Sequence, residues 1–173
     1  IPDDFTSLVV VPTIIGNIAD IEKLVEGLEV KFLSNRDERL HFALLTDFKD
    51  AATETLPEDD ALLELTKNKI IDLNKRYNRT GNDTFFLFHR PRKWNPKEKV
   101  WMGYERKRGK LGELNGLLRR NERGNFSLII GDETIFPKIK YIITLDTDTS
   151  LPRDAAWKLI GTMAHPLNKA FYS

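Results

Sequence analysis

Residues Tyr141 to Leu145 are mostly apolar and β-prone, and they run straight into Asp146-Thr147-Asp148. A continuous apolar run of that length suits a strand buried on both faces, as in a parallel sheet. The strand should stop where the charges begin, because an unpaired buried carboxylate is very costly. Both aspartates would then stand at the carboxyl edge of a sheet, where open α/β folds hold their ligands. Oxygen ligands this close together suit a hard cation, Mg²⁺ or Mn²⁺, shared with a substrate's phosphates.

The preceding chain reads as the scaffold for that edge. Strands are predicted at Leu8–Thr13, His41–Thr46 (closed by Asp47) and Thr84–His89, each rich in β-branched or aromatic residues. Ile18, Ile21, Leu24, Val25, Leu28 and Phe32 recur at helical spacing, with Asn17 or Asp20 available as a cap. Further helices are expected from about Asp59 to Tyr77, Lys110 to Arg119 and Arg153 to Met163. Ala51 to Asp60 reads as a solvated acidic loop, and Asn78 to Asp83 as a polar turn. Arg90 to Val100, broken by Pro91 and Pro96, reads as a basic loop. Asn121 to Lys138 looks irregular, with a short hairpin at Phe126 to Ile130. Strands alternating with helices predict an α/β domain with a mainly parallel sheet flanked by helices.

Composition narrows the function classes. A chain of 173 residues supports one domain with a real core. With 27 Lys and Arg against 26 Asp and Glu, nothing draws it as a whole to nucleic acid or an anionic membrane. It has no cysteine, which excludes disulfides and thiolate metal sites. The histidines His41, His89 and His165 show no metal-ligand spacing and read as structural. No apolar run reaches the roughly 18 residues of a membrane span. A start on Ile1 and an end soon after the acidic pair suggest a piece cut from something longer.

Asp146-Thr147-Asp148 has competing readings. It could be a strand end followed by a helix cap. It could hold the metal and diphosphate of a nucleotide-sugar transferase. Asp146-x-Asp148-x-Ser150 also fits the nucleophile pattern of an aspartyl phosphatase, although those enzymes carry it on their first strand. A calcium loop fails, because Leu151 stands where glycine is needed. The second strong feature is Glu105 to Asn115, a basic, glycine-punctuated turn opening a helix. Backbone N–H groups, helix dipole and Lys/Arg charge converge there into a plausible anion cradle, or simply a solvated basic loop. Asp47 and Asp50 lie at the same expected edge, as ligand contacts or turn formers. Trp94, Trp101 and Tyr104 interleave with basic residues and read as a sugar-facing loop or as packing.

Lys93-Trp94-Asn95, the block Trp101 to Leu111, Tyr141 to Thr149 and Gly161 to Asn168 closely resemble the cyclic β-1,2-glucan synthase family. Leu8 to Thr13 and Phe42 to Ala51 agree with it as well. The resemblance implies the donor-binding part of a glucosyltransferase domain with a nucleotide-diphospho-sugar transferase (GT-A) fold. It implies UDP-glucose as donor, a growing β-1,2-glucan as acceptor and inversion at the anomeric carbon. The parent would be a large protein of the bacterial inner membrane, with this domain on the cytoplasmic face. By the same resemblance Asp146 and Asp148 bind metal, and Thr13, Asp47, Gly109, Lys110, Asn115 and Asp146 contact the donor. The base is then expected beyond Ser173, so the piece alone should not turn over. The alternative is a non-catalytic interaction or scaffold domain of the same fold.

Overall fold

A computed structural model describes residues 1–78 and 81–168; Arg79 and Thr80, the centre of the expected polar turn, lie outside them. Among the described residues the strands are β1 (Ser7–Ile15), β2 (Leu40–Phe48), β3 (Phe85–Arg90), β4 (Lys93–Asn95), β5 (Val100–Met102), β6 (Leu128–Ile130) and β7 (Tyr141–Thr144). The helices are α1 (Ile18–Ser34), α2 (Asp59–Tyr77), α3 (Arg106–Arg120) and α4 (Ala155–Ala164). Five strands form one sheet in the order β6-β3-β2-β1-β7. β1, β2, β3 and β7 run parallel, and β6 pairs antiparallel with β3. The expected α/β class with a mainly parallel, helix-flanked sheet is borne out.

Alternation along the central strands sends side chains to two cores. Val9, Val11, Phe42, Leu44, Phe85 and Leu87 face the layer of α1, α2 and α4. Leu8, Val10, Ala43, Leu45, Phe86 and Phe88 face α3 and a 3-10 turn at Glu133–Lys138. β1 to β3 are buried along nearly their whole length, which is why they read as unbroken apolar runs. Pro12 sits in β1 without breaking the ladder. The Thr6 and Val10 carbonyls accept from the β7 side, so Pro12 faces that side too, just past the last β7 pair.

Local chemistry ends the helices. The Asn17 side chain accepts from the Asp20 N–H at 2.9 Å and caps α1. Buried Asn35, after α1, donates to the Leu151 and Pro152 carbonyls and accepts from the Ala156 N–H. That one side chain ties the segment after β7 to the end of α1.

Four expectations are corrected. β7 is not buried on both faces: it is an edge strand paired only with β1 among the described residues, and Ile142 is 38% exposed. The Arg90–Val100 loop contains structure, because Pro91 falls before β4 and Pro96 in the turn between β4 and β5, where neither interrupts the paired residues of the hairpin. Phe126 to Ile130 forms no hairpin; only Leu128–Ile130 is strand, laid on the open edge of β3. The acidic loop is not wholly solvated. Asp59 is buried against Arg92, whose guanidinium grips both carboxylate oxygens. Burial alone would raise the Asp59 carboxyl, but hydrogen bonds from Arg92 and the Leu56 N–H outweigh it and hold it low.

His89 is fully buried on β3, with Nδ1 against the Thr46 hydroxyl at 2.8 Å and Nε2 without a partner among the described residues. Burial pushes its pKa from 6.5 down to about 4, so the folded protein keeps it neutral. Between those values the unfolded chain takes up a proton that the folded chain refuses. Stability should therefore fall by roughly 3 kcal/mol as pH drops from about 6.5 to 4. Urea midpoints measured across that range check this, and His89→Gln should flatten that part of the slope.

Candidate functional site

Because β1, β2 and β7 are parallel, their carboxyl ends open on one side of the sheet. There a cleft of about 630 Å³ is walled by the end of β1 (Pro12, Thr13), by α1 (Lys23, Gly27, Lys31) and by the turn into α3 (Gly103, Lys107, Lys110). Asp47 near the end of β2 and Asp50 just past it also line the cleft, and Thr147 and Asp148 arrive after β7. Cations and carboxylates thus share one concave surface, as a site for a multiply charged ligand requires.

Asp47 is buried and fully engaged. Arg90 Nε donates to its Oδ1 at 2.8 Å and Arg90 Nη2 to its Oδ2 at 3.0 Å. Lys110 Nζ stands 3.2 Å from the same Oδ2 and donates to the Thr13 carbonyl at 2.6 Å. The register explains the pairing: Asp47 lies directly opposite Arg90 across the β2–β3 ladder. Burial lowers the Lys110 pKa, and Asp47 opposes the shift. A side chain at Gly103 would overlap the Asp47 carboxylate, so only glycine lets the chain pass there.

Arg90 also builds the turn. Its Nη2 donates to the Tyr104 and Arg106 carbonyls, and its Nη1 to Glu113 at 2.9 Å. Glu113 accepts in turn from Asn125. Glu105 and Arg106 adopt left-handed backbone, φ 54° and 49°, a conformation costing about 1 kcal/mol or more each. The carbonyl contacts from Arg90 offset part of that cost. At Gly109 a Cβ would overlap the Tyr104 carbonyl, so the first turn of α3 also needs a glycine. The helix therefore starts at Arg106, four residues before the expected Lys110.

The acidic pair is split. Asp148 lines the cleft and makes no hydrogen bond among the described residues. Asp146 stands outside the lining, in an ion pair with Lys107 whose partners are 50% and 63% exposed. The basic turn and the acidic strand end thus face each other across the mouth. Thr13, Asp47, Lys110 and Asp148 meet in the cleft. Gly109 serves the turn, and Asn115 is exposed on α3; neither borders the cleft. Arg90 and Lys31 escaped sequence reading. Both carried a signal: Arg90 ends β3 as Asp47 nearly ends β2, and Lys31 falls on the apolar stripe of α1.

No model of a known protein family matches the chain. It is 45% identical over 169 residues, 98% of its length, to the cyclic beta-(1,2)-glucan synthase NdvB of Rhizobium meliloti (strain 1021). The chain is related to part of a glucan synthase. It spans 6% of that synthase's own length. The resemblance carried by Trp101 to Leu111 and Tyr141 to Thr149 is therefore borne out.

The donor set of this chain allows a divalent cation only in company. Among the described residues no three His, Asp or Glu side chains gather to hold a metal. Two carboxylates suffice for Mg²⁺ or Mn²⁺ when water and ligand phosphates complete the shell; here Asp148 lines the cleft, while Asp146 lies outside its lining and would have to leave Lys107 to join it. No helix among the described residues is long and apolar enough to cross a membrane.

Breaking a buried ion pair strands its partner in low dielectric, whereas an exposed pair contributes little. Arg90→Gln should cost about 3–5 kcal/mol of stability, and Lys107→Ala no more than about 1 kcal/mol. Urea denaturation of both variants checks the contrast.

Proposed function

We propose that the cleft is the donor site of a glucosyltransferase domain with a GT-A-type fold, taking UDP-glucose and extending a β-1,2-glucan with inversion. The observation that supports it most is the convergence of Thr13, Asp47, Lys110 and Asp148 on one cleft, in a chain related to a glucan synthase. In this reading a glucan hydroxyl, its proton taken by a base outside the described residues, attacks the anomeric carbon, the bond to the diphosphate breaks, and UDP leaves. Mg²⁺ or Mn²⁺ held by Asp146 and Asp148 would supply charge neutralisation for the departing diphosphate. Lys107, freed from Asp146 by that exchange, would turn its ammonium toward the same phosphates. Lys110 holds the Thr13 carbonyl, so the rim of β1 that meets the nucleoside is fixed before the donor arrives.

One observation favours the scaffold reading. Asp47, Lys110 and Arg90 already satisfy one another, and Lys107 covers Asp146, so much of the charge in the cleft is spent internally. Unchanged glucan synthesis by a full-length synthase carrying Asp146→Ala and Asp148→Ala would support that scaffold.

Calorimetric titration of UDP-glucose into this chain, with and without Mn²⁺, tests the donor site. Binding should tighten at least about tenfold with the metal, and Asp148→Ala should abolish the difference. Equal affinity in all three titrations would sink the proposal.

A further inference from the structure

Lys31 is 6% exposed, yet its side chain lines the cleft and its ammonium has neither a hydrogen bond nor an ion pair among the described residues. The other wall is different. Arg106 is paired with Asp50 and Glu98, Lys107 with Asp146, and Lys110 with Asp47. Lys31 is thus the one buried cation of the cleft that the described chain leaves uncommitted.

Its placement follows from helix geometry. Lys31 falls on the inward stripe of α1, three residues after Leu28, where the pattern calls for an apolar side chain. Helical side chains lean toward the N-terminus, and the Lys31 stem runs back over Gly27, one turn earlier. A Cβ at Gly27 would stand 3.9 Å from Nζ, an ordinary contact distance, which places the ammonium beside that residue. The alkyl stem packs in the apolar layer while the ammonium emerges at the cleft, facing Asp148. Desolvation lowers the Lys31 pKa, and the Asp148 charge opposes this only in part. The stem is buried but Nζ itself is not, and it meets the open cleft rather than a partner among the described residues. A partly desolvated ammonium that lines a concave surface without a partner in the chain is available to an anionic ligand.

We propose that Lys31 is an anion-binding residue of the cleft, its ammonium donating to a phosphate oxygen of the ligand from the α1 wall. Only the identity of the phosphate's carrier rests on the donor reading above. The phosphate would lie between α1 and α3, with Lys31 supplying charge that the α3 cations hold in internal pairs.

Inorganic pyrophosphate, UDP and uridine titrated separately into the chain and into Lys31→Met and Lys31→Arg test this. Wild type should bind pyrophosphate, and Lys31→Met should lose at least about tenfold, the worth of one hydrogen bond to a charged group. Lys31→Arg should keep most of the affinity. The melting temperature of Lys31→Met should stay level or rise, because methionine fills the stem's place without a partly desolvated charge. Pyrophosphate affinity unchanged in Lys31→Met, or no pyrophosphate binding by wild type, would overturn the inference. So would a fall in melting temperature in Lys31→Met with binding also lost in Lys31→Arg, the behaviour of a structural lysine. Lys31-dependent binding of pyrophosphate, with UDP bound no more tightly, would sink the nucleotide reading and leave this role standing.

Discussion

The Arg90 guanidinium is the joint on which the site depends. It grips both oxygens of Asp47, holds the carbonyls of Tyr104 and Arg106, and reaches Glu113. One planar fork thus fixes the end of β2, the end of β3, the exit from the β4–β5 hairpin and the start of α3. A lysine could supply the charge but not that geometry. Buried pairs of this kind contribute little net stability against an apolar replacement, because desolvation consumes most of the Coulombic gain. What Arg90 contributes is position. The left-handed turn at Glu105 and Arg106 would be free to relax without those carbonyl contacts, and Lys107 and Lys110 would move with it.

The two walls of the cleft follow from that arrangement. The α3 wall is pre-paired: Lys110 anchors the Thr13 carbonyl beside Asp47, while Lys107 is held only by its exposed pair with Asp146. The α1 wall rests on apolar packing of Ile21, Val25 and Leu28 and carries an unpaired ammonium at Lys31. The anchoring cation and the unpaired one therefore sit on opposite sides. Keeping them apart avoids a conflict, since a cation that anchors the backbone cannot also turn toward an arriving phosphate.

The fold was largely legible because burial in a parallel sheet leaves a plain mark. β1 to β3 are unbroken apolar runs, and α2 occupies the predicted span from Asp59 to Tyr77. β7 misled for the same reason. Tyr141-Ile142-Ile143 reads like a central strand, but periodicity reports what a segment can bury and not which neighbours it has. Pro91 and Pro96 misled in the other direction, since proline stops pairing only at the residue it occupies. In the site, sequence order placed Asp47 and Asp148 at one edge but could not show their partners. Arg90 lies 43 residues from Asp47, and only the strand register sets them face to face. Lys31 was hidden among residues read for apolarity, where one lysine looks like noise in the stripe.

The contacts in the cleft differ in whether a ligand can displace them. The pair of Lys107 with Asp146 is about half exposed on both sides, so breaking it costs on the order of 1 kcal/mol or less. A phosphate or a divalent cation can outbid that. The Asp47 cluster is another matter, because both carboxylate oxygens are occupied and exposing one would strand Arg90 or Lys110 in a dry site. A ligand therefore meets Asp47 as part of a neutralised unit. Whatever discrimination that unit provides comes from the shape and dipole that Asp47, Lys110 and the Thr13 carbonyl present together. Net charge recognition falls to the groups that can change partners, Lys107 and Asp146 at the mouth, and to those that have none, Asp148 and Lys31 within.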